Sequence, residues 1–88
     1  MENDILVLNP AALPTEQNGQ PGLLLGSRSR FAGDRAQTVL LRSLLEGRQP
    51  VWRLTALLRD SLSPVPDETE SALLLARFIL DFNDFLEV

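Results

Sequence analysis

The chain contains no cysteine and no histidine. Disulfide staples, zinc sites of the usual kind, thiol nucleophiles and imidazole bases are therefore excluded. All eight basic residues are arginine, so Ser27, Ser29 and Ser43 have neither a histidine nor a lysine to activate them. Gly19, Gly22, Gly26 and Gly33 lack the spacing of a phosphate-binding loop and no Lys-Ser/Thr pair comes after them. Long apolar runs are missing too: the densest, Ala72-Leu73-Leu74-Leu75-Ala76, is broken by Arg77, far short of the roughly 20 residues that span a bilayer. The start carries Glu2 and Asp4 where a secretory signal would carry positive charge. These absences predict a cytoplasmic protein that is not an enzyme, holds no cofactor or metal, and has no membrane segment.

What remains is a chain of 88 residues, 44% hydrophobic and 23% charged, with a net charge of −4. That length suits one small domain over residues 1–88 with a single modest core, so function is expected on the surface. The acidic balance opposes binding to phosphate backbones.

Ile5 to Leu8 is rich in strand formers, and Pro10 and Pro14 bracket the residues after it, which predicts an edge strand leading into an extended segment. Asn18-Gly19 is the strongest hairpin signal, and Leu23-Leu24-Leu25 is the expected returning strand. Gly26 permits a further turn into a short third strand, Ser27-Arg28-Ser29-Arg30-Phe31.

Asp34 with Gln37 three residues on reads as a helix start with capping-box spacing, and Val39, Leu40, Leu41, Leu44 and Leu45 recur at helical intervals up to Gly47. Gly47 is expected to close this helix in a left-handed conformation, with Pro50 in the first turn of the next. That second helix presents Val51, Leu54, Leu57, Leu58 and Leu62 to one side until Ser63-Pro64-Val65-Pro66 ends it. Trp52, the lone tryptophan, reads as a core anchor ahead of the alternative, a hot spot for a partner. Asp67, Glu68 and Glu70 have the spacing of a helix start, a better reading than a metal or acid–base site. The third helix should be the longest element, with Leu75, Phe78, Ile79, Phe82 and Leu86 facing the core. Asp81, Asp84 and Glu87 read as a solvated face. The pattern thus predicts an α+β domain: a short N-terminal three-stranded antiparallel sheet over residues of about 5–31, then helices over about 34–46, 50–62 and 67–86.

Arg28, Arg30 and Arg35 form the one basic concentration, beside Phe31. Two readings stand: arginines that merely solvate an edge strand, or a contact with an acidic peptide or nucleic acid.

Short strands and then three helices, with a glycine-marked corner between the first two, match the plan of a winged helix-turn-helix. Gly22-Leu23-Leu24-Leu25, Arg30-Phe31, Ala36, Val39-Leu40, Leu44, Glu46-Gly47-Arg48-Gln49-Pro50-Val51-Trp52, Leu54 and Leu57-Leu58 together resemble the PqqD-like family. Phe78-Ile79 through Phe85-Leu86 looks like that family's closing helix. The likeness runs from Gly22 to Leu86. It departs at Ser27 to Arg30, where the family is more apolar, and at Pro50, where threonine is usual. The resemblance implies a recognition element that binds the leader of a ribosomally made precursor peptide and hands its core to a tailoring enzyme, often a radical SAM enzyme. It implies docking by β-strand addition, with Ser27, Arg28, Ser29, Arg30 and Phe31 as receiving strand and Leu73, Leu74, Arg77 and Leu80 as helix wall. Arg28, Arg30 and Arg77 would then select acidic leader residues. Two other classes compete: a winged-helix DNA-binding regulator, disfavoured by the acidic balance and by Leu, Asp and Glu on the third helix, and a small helical subunit that homodimerises through that helix's wide apolar arc.

Overall fold

The computed structural model describes residues 4–87. It is an α+β domain of three helices and two three-stranded antiparallel sheets. Asn18 and Gly19, with φ of 54° and 81°, make the tight turn joining β2 (Leu13–Gln17) to β3 (Gln20–Leu25); positive φ at both central residues matches the right-handed twist of the strands they join. A second two-residue turn leads into β4 (Arg28–Phe31), and the sheet runs β2-β3-β4. Gly22 lies directly opposite Phe31. A Cβ at Gly22 would sit 2.5 Å from the Phe31 ring and 2.7 Å from the Arg30 carbonyl oxygen, so no side chain fits there.

The expected single N-terminal sheet is corrected in one respect. β1 (Ile5–Leu8) does not join the hairpin and is not an edge. It is the central strand of a separate small sheet, between β5 (Gln49–Pro50) and β6 (Leu86–Glu87). The hairpin partner of Leu23–Leu25 is instead the Pro14-containing segment, which tolerates proline because β2 is an edge.

α1 (Arg35–Glu46) starts as expected, with the Asp34 carboxylate accepting from the Gln37 N–H at 2.9 Å. It stops at Gly47, but with φ 150° and ψ 176° rather than in the left-handed helical region. This extended form, open chiefly to glycine, carries the chain into β5, where Gln49 and Pro50 pair with Leu6 and Ile5. Pro50 is consequently the N-cap of α2 (Val51–Ser61), and the free Val51 N–H donates to the Asp4 carbonyl at 2.8 Å. α3 (Glu68–Asp81) is capped by the Asp67 carboxylate, which accepts from the Glu70 N–H at 2.8 Å.

α3 (Glu68–Asp81) is shorter than expected. Apolar spacing alone predicts helix as far as residue 86, yet a 3-10 turn (Asn83–Phe85) interrupts it and Leu86 enters β6. Asn83 and Asp84 favour turns over helix interiors, and pairing with β1 satisfies the backbone that the helix gives up. Phe82 and Leu86 are buried as expected all the same. Phe78 stacks on Phe82 at 4.7 Å, Phe82 meets Phe85 edge-on at 6.2 Å, and Leu23 joins the three helices in one core with Leu40, Leu54 and Leu58. Trp52 is not in that core: it is 55% exposed. Its helical neighbours Val51 and Leu54 take the inward positions instead.

Candidate groove between the edge strand and the third helix

Among the described residues β4 is paired on one side only, with β3. The Ala32 N–H donates to the Pro21 carbonyl at 2.9 Å, which sets the alternation of the antiparallel ladder. Arg30 and Arg28, two and four residues earlier, direct their main-chain groups to Leu23 and Leu25. Ser29 and Phe31 direct theirs to the free edge. Cross-strand partners share a sheet face, so Arg28 and Arg30 lie on the side of Leu25 and Leu23, which faces the helices. The Phe31 ring lies on the other side, over Gly22.

The free edge opens onto a groove of about 470 Å³ lined by Arg28, Ser29 and Arg30 on the strand side and by Leu80, Asp81 and Asp84 on the helix side. Asn83 and Phe85 complete its floor. The Arg28 guanidinium donates to the Asp84 carboxylate at 2.7 Å, the one ion pair among the described residues. It bridges the groove at the surface, with side chains 67% and 56% exposed, so it is screened and readily exchanged. Asp81 is held differently. Its carboxylate accepts from the Gln37 amide at 2.7 Å, while the Gln37 amide oxygen accepts from the Gly33 N–H at 2.8 Å. Gln37 is buried, so it ties the start of α1 to the end of α3 and fixes the helix wall relative to the sheet. Among the described residues Arg30 is left as the unpaired cation of the groove.

The structure thus brings together Arg28, Ser29, Arg30 and Leu80 from the expected site. Ser27 sits in the β3–β4 turn, and Phe31 offers the edge its main chain but not its ring. Leu73 and Arg77 are exposed one to two turns up α3 on the same outer face as Leu80, outside the groove, and Leu74 packs inward against the core. Sequence reasoning missed Asp81, Asn83, Asp84 and Phe85 because it continued the helix through them. The Asn83-Asp84 pair was the available signal for a turn.

Among the described residues no group of three acidic side chains converges as a metal site, and no helix is long and apolar enough to cross a membrane. No family model matches the chain, and no curated protein and no solved structure matches it.

Proposed function

We propose that the chain is a non-catalytic recognition protein of the PqqD-like kind, working in the cytoplasm. In this reading it binds the leader of a ribosomally synthesised precursor peptide by β-strand addition and presents it to a tailoring enzyme of the radical SAM class. The β2-β3-β4 sheet and the three helices serve as a winged-helix-like frame, with β4 as receiving strand and α3 as wall. The observation that carries the reading is the free main-chain edge at Ser29 and Phe31 opening onto a groove next to an exposed leucine and an unpaired arginine. An unpaired edge recruits a further strand, whose main-chain hydrogen bonds supply affinity while side-chain contacts supply selection. Leu80, 77% exposed, offers an apolar contact to the added strand, and Arg30 favours an acidic residue at the register position beside it.

Titration of ¹⁵N-labelled protein with precursor peptides encoded beside its gene tests this. Binding is expected to shift the amides of Ser29, Arg30 and Phe31 and those of Leu80 and Asn83, and to weaken as salt rises. Binding confined to other surfaces, or a mobility shift with duplex DNA in place of peptide binding, would sink the proposal in favour of a different partner class.

A further inference from the structure

A second groove, of about 180 Å³, lies between α2 and α3 on the other flank of α3. Its floor is Ala72, Leu75 and Ala76, small side chains flanking one leucine. An apolar cavity of about 150 Å³ holds a benzene ring, so there is room for one aromatic side chain. The two ends differ. A short connection sets the C-terminal turn of α2 beside the N-terminal turn of α3, so Arg59, Glu68 and Ser71 lie at one end and Trp52 and Ile79 at the other. Ser71 lies beneath the groove, 1% exposed, and its shielded Oγ has no hydrogen-bond partner among the described residues. Arg59 and Glu68 make no ion pair among the described residues.

We infer that a second copy of this chain docks here about a two-fold axis, each copy placing its Trp52 in the other's groove. Trp52, Thr55 and Arg59 share one face of α2 at i, i+3 and i+7. Two such helices packed antiparallel about the small Thr55 set Trp52 of each copy over the second copy's Arg59, a cation–π arrangement made twice. A buried indole N–H requires an acceptor, and the end of the groove that receives it holds the exposed Glu68 carboxylate, which has no ion-pair partner among the described residues. The surface is therefore complementary to itself: the exposed aromatic at one end fits the cation, the small-residue floor and the acceptor at the other. This surface is separate from the β4 edge and does not depend on what binds there.

Sedimentation of the full chain from about 10 µM to about 1 mM, the weak end of specific association, tests the inference, with the emission of the only tryptophan monitored in parallel. A rise from monomer to dimer mass is expected, with a blue shift of emission over the same concentration range. Trp52→Ala and Ala76→Arg should each weaken dimerisation at least about tenfold, a loss of about 1.4 kcal/mol. Both positions are exposed, so far-UV circular dichroism should stay unchanged, and Arg59→Glu gives a third variant at the opposite end of the groove. A monomer mass at the highest concentration overturns the inference, as does a dimer that survives these variants or forms with no change in tryptophan emission.

Discussion

Ser29→Pro separates strand addition at β4 from any other mode of peptide binding. By the alternation of the ladder, the Ser29 N–H points away from β3, so proline there removes a donor that the folded monomer does not use. Proline is tolerated on an edge strand in this orientation, and its restriction of the preceding residue to extended backbone suits Arg28, which is already in β4. Monomer stability should change by no more than about 1 kcal/mol, a shift of a few degrees in the melting temperature. An added strand would lose the bond to the Ser29 N–H, and the pyrrolidine ring would hold its backbone off the neighbouring carbonyl. Two hydrogen bonds at about 1 kcal/mol each amount to about 2 kcal/mol, or roughly a 30-fold rise in Kd. Fluorescence anisotropy with a labelled leader peptide reads this directly. Ser29→Ala keeps the N–H and should bind as the parent does, whereas Arg30→Pro removes a ladder bond to Leu23 and should lower stability. If Ser29→Pro bound the peptide with parental affinity, strand addition at this edge would be wrong.

Asp84→Asn removes the carboxylate that holds Arg28 across the groove. The pair is exposed, so thermal stability should move by less than about 1 kcal/mol, while affinity for acidic leader peptides should rise a few-fold in the same anisotropy assay. Gln37→Ala leaves the Gly33 N–H and the partly buried Asp81 carboxylate without their partner; a loss of about 2 kcal/mol, seen as a melting temperature lower by roughly 10 °C, is expected. Gly22→Ala forces a Cβ into the Phe31 ring and the Arg30 carbonyl. Urea unfolding should register a loss of about 1–3 kcal/mol, and adding Phe31→Ala should restore only part of it because the carbonyl remains.

Local chemistry was legible in the amino-acid sequence. Asp34 and Asp67 cap the helices whose starts their spacing marks, Asn18-Gly19 turns the hairpin, and Leu40, Leu41 and Leu44 of α1 and Leu54 and Leu58 of α2 point inward, because each of these signals acts within a few residues. Leu45, by contrast, is exposed and Leu57 stays outside the core. The strand side of the groove was legible for the same reason, since Gly26 before an alternating Ser-Arg segment marks a turn into an edge strand. The helix side was legible only at Leu80. Apolar spacing continues past Asp81, and only the pairing of Leu86 and Glu87 with β1 makes it worthwhile for the chain to leave the helix at Asn83.

Contacts between residues distant in sequence were decided by the tertiary structure alone. Whether Ile5–Leu8 joined the hairpin or a separate sheet depended on Gln49-Pro50 and Leu86-Glu87 arriving on either side of it, and two-residue strands carry no periodicity to read. Trp52 lies outside the core because Val51 and Leu54 fill the inward positions of α2, a competition that composition does not rank. Arg28 and Asp84, 56 residues apart, meet only because β4 and the end of α3 form two walls of one groove. The sequence by itself determined where the three helices start, the Asn18-Gly19 turn and the inward positions of Leu40, Leu44, Leu54 and Leu58, through capping, turn chemistry and periodicity. The groove, its crossing ion pair and the exposed tryptophan arise from how those segments pack, because packing couples residues that no local signal connects.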